Sequence, residues 1–141
     1  VIDVVVTGSR TFKNRKRVFD TLDSIHKSTP IRALAHGACG WDKDKPELQL
    51  VINLRGADRW AHEWAMQNGV IIATFPAAWS MGRGGAGPLR NKEMLDTFCP
   101  DLVVAFFDSD DNWGTRNCVR EAYYRKIPIR RIDDRVQESL L

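Results

Sequence analysis

Three cysteines, Cys39, Cys99 and Cys118, odd in number and far apart, give this chain no disulfide framework and fit the reduced thiols of a cytoplasmic protein. No Cys/His spacing suits zinc, so no metal is expected. Apolar stretches all fall far short of the roughly 20 residues that span a bilayer. No basic-then-apolar leader precedes the first strand, which again points to a cytoplasmic protein with no membrane partner. Repeats, low-complexity tracts and linkers are missing too. Basic residues exceed acidic ones by only 21 to 18 and are scattered along the chain, which argues against nucleic acid as the partner. What is present is 141 residues, 43% hydrophobic and 28% charged, the frame of one globular domain over residues 1–141.

Continuous apolar runs alternate with segments of helical period, the pattern of a mostly parallel sheet covered on both faces. Ile2 to Val6 reads as a strand ending in Thr7-Gly8-Ser9-Arg10. A helix follows over about 14–27, with Val18, Leu22 and Ile25 on its inner face. Ile31 to Ala35 gives a second strand ending at His36-Gly37. Val70 to Phe75 gives a third, entered from Gly69 just past a helix that carries Trp60, Ala61, Trp64 and Ala65 on one face. Asp101 to Phe107 makes the fourth, Thr115 to Lys126 a helix, and Ile127-Pro128-Ile129 a short last strand whose proline favours an edge. The expected class is α/β, a Rossmann-like three-layer sandwich with about five strands.

Residues 41–55 interrupt this rhythm as an insertion. Leu48, Leu50, Ile52 and Leu54 alternate with other residues there, which suits an extra strand, a lid or an edge for self-association. A surface excursion packed on its own domain is the favoured reading.

In such a sheet ligands settle at the carboxyl ends of the strands, and the unusual residues lie at those ends. Gly8, Ser9 and Arg10 follow strand one, His36 and Gly37 strand two, and Gly114 and Thr115 strand four. After strand three come Pro76 and a glycine-dense loop, Gly82-Arg83-Gly84-Gly85-Ala86-Gly87, that leads into Pro88-Leu89-Arg90-Asn91 at a helix start. Bare amides, helix N-termini and guanidinium groups in one place suit phosphate. Arg10 and Arg90 are the expected phosphate partners, because a guanidinium stays charged and grips two oxygens. Failing that, they would make structural ion pairs with Asp58 or Asp101. Trp79 and Trp113 sit in rim loops where an indole could stack on a base, whereas Trp60 and Trp64 suit the core. His26 and His62 read as helix-surface residues. His36 and Cys39 make at best a weak nucleophile pair, since no third group orients them. Asp108, Asp110 and Asp111 read as solvent-facing loop charges, and Trp113 stands where a calcium loop needs glycine.

Taken together, Gly8-Ser9-Arg10-x-Phe12, His36-Gly37, Gly56-Ala57-Asp58 with Trp64-Ala65, Phe75-Pro76-Ala77-x-Trp79, Ala86-Gly87-Pro88-Leu89-Arg90-Asn91-x-x-Met94 and Gly114-Thr115 resemble the small YspA-type members of the SLOG superfamily. These are Rossmann-like domains related to the lonely-guy phosphoribohydrolases and to the DNA-processing protein DprA. The resemblance implies a pocket for a small nucleotide-derived ligand, formed here by Gly8, Ser9, Arg10, His36, Gly37, Asp58, Trp79, Gly87, Arg90, Asn91, Gly114 and Thr115, with no further cofactor. It also implies a homo-oligomer. The insertion splits the family's His-Gly-x-Ala-x-Gly-Ala-Asp run, so one pocket wall departs from the pattern.

Lonely-guy enzymes resemble the chain at Arg90, but their catalytic Glu, three residues beyond the Thr of Gly-Thr, is replaced by Cys118. A neutral thiol neither stabilises an oxocarbenium-like state nor activates water. No catalytic residue is therefore assigned. The expectation is a sensor or sequestering protein for an ADP-ribose-like or cyclic nucleotide; the alternative is a hydrolase or transferase that cleaves a nucleotide N-glycosidic bond.

Overall fold

In the computed structural model, which describes residues 1–44 and 53–136, five parallel strands form one sheet in the order β3-β2-β1-β4-β5. Their bounds are β1 Ile2–Gly8, β2 Ile31–His36, β3 Ile71–Thr74, β4 Leu102–Phe107 and β5 Ile129–Asp133. Among the described residues four helices connect them: α1 Arg15–Ser28, α2 Gly56–Gln67, α3 Arg83–Phe98 and α4 Trp113–Tyr124, with a short 3-10 turn at Trp79–Met81. Val5 of β1 pairs with Ala35 of β2 on one side and Val103 of β4 on the other. The chain runs outward from β1 to β2 and β3, then crosses back to β4. Strand order thus reverses between β1 and β4, where an open α/β sheet opens a crevice at its carboxyl edge.

Side-chain alternation sorts the core into two layers. Val4 and Val6 of β1 point to α1 and α2, where Phe12, Val18, Leu22, Trp64 and Phe106 are fully or almost fully buried. Val5 points the other way, toward Met94 and Leu95 of α3 and Cys118 and Ala122 of α4. Asn14 caps α1, its side chain accepting from the Arg17 amide at 3.1 Å, so the helix begins where the last free amides find a partner. The indole of Trp64 donates to Asp23 at 2.8 Å and that of Trp60 to the Phe12 carbonyl at 2.9 Å, which satisfies both polar edges as their rings pack inward.

Two sequence expectations change here. Most of the glycine run is no loop: α3 starts at Arg83, just after Gly82, and contains Gly84, Gly85, Gly87 and Pro88, so Arg90 sits two turns inside the helix rather than at its start. Pro88, the sixth residue of α3, deprives the helix of one ladder hydrogen bond, to the Gly84 carbonyl. The last strand is Ile129–Asp133 rather than Ile127 to Ile129, with Pro128 before it accepting from the Val103 amide at 2.9 Å. It does lie at a sheet edge. Residues 45–52, where most of the alternating pattern of the insertion falls, lie outside the described residues. At the ends of that segment Trp41 and Leu54 are buried together with Ala38. No helix among the described residues is long and apolar enough to cross a membrane.

Candidate functional site

At the β1/β4 reversal lies a cavity of about 630 Å³. Of the twelve residues expected to hold a ligand, eleven line it: Gly8, Ser9, Arg10, Gly37, Asp58, Trp79, Gly87, Arg90, Asn91, Gly114 and Thr115. His36 does not. It is completely buried behind the floor, where its Nδ1 accepts from the Ala38 amide at 2.9 Å and its Nε2 lies 2.9 Å from His62 Nδ1. With Nδ1 accepting, the proton belongs on Nε2 and is donated to His62. Burial, then the neighbouring His62 and Arg90, pulls the His36 pKa down to about 3, so the ring is a neutral strut. It therefore makes no nucleophile pair with Cys39, whose thiol is pushed up to about 11 by burial and by the Asp58 carboxylate.

The floor is built around Arg90. Its Nη1 donates to the carbonyls of Gly37 and, at 3.3 Å, of Phe75; its Nε donates to Asn91 Oδ1 at 2.9 Å. A Cβ on Gly37 would push the guanidinium out of this position. Nη2 has no hydrogen-bond partner among the described residues, so its two donors remain for an anion. The alternative, an ion pair with Asp101, does not form: Asp101 sits at the opposite end of the sheet, accepting from the Asp3 amide at 2.8 Å. Asp58 is near enough for the Arg90 charge to lower its pKa, but burial outweighs that and raises it to about 6. One carboxylate oxygen of Asp58 accepts from the Cys39 amide at 3.0 Å, pinning the turn after β2; the other is buried and unpartnered among the described residues.

The opposite wall is the start of α4. Asn112, its N-cap, turns its side chain backward to accept from the Asp108 and Ser109 amides at 3.0 and 3.3 Å and so leaves the helix uncapped. The Gly114 and Thr115 amides have no partner among the described residues and belong to lining residues. A helix start with free amides carries partial positive charge. Asn91 ties the two walls together, its Nδ2 donating to the Gly114 carbonyl at 3.1 Å and to Asn117 at 2.9 Å. Trp79 and Trp113 line the rim, and Trp113 is 70% exposed.

Some polar residues differ from their sequence reading. Asp108 is not a free loop charge: its carboxylate accepts from the Thr11 hydroxyl at 2.6 Å, and Thr11 lies 2.6 Å from the Ser9 hydroxyl. Asp110 pairs with Arg135 at 2.9 Å. His62 is buried against His36, whereas His26 is half-buried and accepts from the Ile31 amide at 2.9 Å with its ring against Trp64. Spacing could have flagged His62, which is one turn beyond Asp58 and so shares its inward face. Cys118, in the slot of the lonely-guy Glu, is fully buried and its pKa is raised to about 11 by that burial. Among the described residues no group of acidic, His or Cys side chains could hold a metal ion.

A profile of the YspA, cpYpsA-related SLOG family matches residues 2–43, from β1 through the turn that Asp58 pins. Over 136 residues the chain is 34% identical to the Gene 61 protein of Mycobacterium phage D29, an alignment spanning 94% of this chain and 97% of the phage protein. The similarity thus runs through both cavity walls and not only the matched N-terminal third. The chain belongs to the YspA, cpYpsA-related SLOG family.

Proposed function

We propose that the cavity binds a small nucleotide-derived ligand, ADP-ribose-like or cyclic, and that the protein acts as a sensor of that molecule or sequesters it. Membership of the SLOG family suggests nucleotide-related ligand binding or processing. The observation that carries the finer reading is the meeting, across one cavity, of the unengaged Nη2 of Arg90 and the unengaged amides of Gly114 and Thr115. Those donors match a phosphate, and the indoles of Trp79 and Trp113 at the rim offer faces for a base. A cavity of about 630 Å³ has room for a dinucleotide-sized molecule.

Binding without turnover is favoured because Cys118, fully buried and neutral, replaces the acid of the lonely-guy enzymes. One observation supports the alternative of N-glycosidic cleavage: Asp58, a lining carboxylic acid whose pKa of about 6 suits proton transfer near neutrality. Incubating the purified protein with ADP-ribose, NAD and cyclic nucleotides, then heating and identifying what is released, separates the two. Intact nucleotide supports sequestration; free base and ribose phosphate support the enzyme; no retained or altered nucleotide removes both.

A further inference from the structure

Arginines on this protein divide sharply by whether a carboxylate meets them. Arg15, Arg17, Arg32, Arg59, Arg125 and Arg135 each form an ion pair. Arg10, Arg55, Arg90, Arg116, Arg120, Arg130 and Arg131 pair with no carboxylate among the described residues, and of these Arg116, whose Nη1 donates to the Asp110 carbonyl at 3.3 Å, Arg120 and Arg131 together line a second groove of about 730 Å³ along α4 and β5. Among the described residues no acidic one lines it. Scatter along the sequence has become a cluster in space, because positions 116 and 120 are one helical turn apart and Arg131 projects from the adjoining strand.

Aromatic rings stand among these charges. Trp113, Tyr123 and Tyr124 are 70%, 73% and 66% exposed, an unusual concentration for one helix. Arg116 lies 4.8 Å from the Trp113 ring centre and Arg131 4.5 Å from that of Phe107. Trp113, Arg116, Arg120 and Tyr124 follow steps of three and four, so they share one face, over which the helix rises about 16 Å. A second copy of the chain meeting this face about a two-fold axis would set arginine against arginine. Unpaired guanidinium groups interleaved with open rings instead complement a chain of phosphates carrying flat bases.

We propose that the α4–β5 groove binds single-stranded nucleic acid, with Arg116, Arg120 and Arg131 on phosphates and Trp113, Tyr123 and Tyr124 stacking bases. The groove stands apart from the nucleotide cavity, although Trp113 and Asn117 border both. Neither Arg90 nor Ser9 contributes to it.

Fluorescence anisotropy with labelled oligothymidylate and oligouridylate of about twelve nucleotides tests this, the two strands deciding between DNA and RNA. The wild-type protein should bind at low salt, with log affinity falling against log salt at a slope near −2, about −0.7 for each of three phosphates. Arg116→Ala with Arg120→Ala should weaken binding at least about tenfold and flatten the slope toward −0.7. Trp113→Ala with Tyr124→Ala should weaken it about tenfold and keep the slope. Arg90→Ala should leave it unchanged. Trp113, Arg116, Arg120 and Tyr124 are all exposed, so circular dichroism should report native folding of these variants. The proposal is overturned if the wild type fails to bind, if the groove variants bind as well as the wild type, or if duplex DNA or heparin competes as well as single strands. A wild-type dimer in sedimentation that Trp113→Ala with Tyr124→Ala converts to monomer would reassign the face to a second copy.

Discussion

The two walls of the cavity are finished in opposite ways. On the β2–α2 side, Gly37, Cys39, Asp58 and Arg90 spend most of their polar groups on one another and on backbone, and His36 and His62 lock together behind them. On the β4–α4 side, Asn112 turns away from the helix it precedes, and the amides of the lining residues Gly114 and Thr115 have no partner among the described residues. Buried polar groups need partners within the protein, whereas groups at an open rim can be served by water until a ligand replaces it. One wall is mostly closed on itself and leaves only the outer edge of Arg90 free; the other leaves helix amides open.

Glycine-to-alanine substitutions break this comparison most directly. At Gly8 a Cβ would collide with Ala57 and lie 3.2 Å from the Phe106 Cβ and carbonyl, all in packed core under the closed wall. Gly8→Ala should displace α2 and cost about 2–3 kcal/mol in urea denaturation. A value near zero would mean that the closed wall yields easily.

Next in size is a pH effect confined to the closed wall. His36, with its pKa lowered to about 3, favours the folded state while neutral, so its contribution is lost as pH falls below the unfolded value near 6.5. Asp58 has the opposite sign: its pKa is raised to about 6, so the fold gains as pH falls through 6 and the carboxylate takes a proton. Between pH 7 and 5 the two largely offset. Asp58→Asn removes the second and should expose a loss of about 2 kcal/mol over that interval, measured by denaturation at each pH. Equal pH slopes in the two proteins would contradict the assignment.

Asn91 joins the walls and tests whether they act together. It is 2% exposed and bonded to Arg90, Gly114 and Asn117. Asn91→Ala should cost about 1–2 kcal/mol and lower ligand affinity, because Arg90 loses the acceptor that orients its free edge. Unaltered stability and affinity would leave the walls independent. The smallest effect belongs to the open wall, where a Cβ on Gly114 meets nothing within 4 Å. Gly114→Ala should move stability by less than about 0.5 kcal/mol. A cost as large as that of Gly8→Ala would erase the distinction between the walls.

The sheet and its rim were legible because Val4, Val5 and Val6, Leu34 and Ala35, and Val103 to Phe107 form uninterrupted apolar runs, and the turns after them carry Gly, Ser and Thr. Eleven of the twelve expected ligand residues line one cavity for that reason: strands in a parallel sheet end on the same side. The glycine run misled because glycine and proline weigh against helix locally, whereas tertiary packing of Ala86, Asn91, Met94 and Leu95 extends α3 back to Arg83. His36 misled in another way. A histidine at a strand end can face the cavity or lie behind it, and only the position of His62, on a distant helix, decides which.

Calorimetric thermal unfolding of the wild type and Arg90→Ala with ADP-ribose, NAD and cyclic nucleotides tests the central claim most directly. The cavity account predicts that at least one of these raises wild-type stability, by about 2.7 kcal/mol at a hundred times its dissociation constant, and that the gain disappears in Arg90→Ala. Stability of the wild type unmoved by every nucleotide, or a gain undiminished in Arg90→Ala, would contradict it.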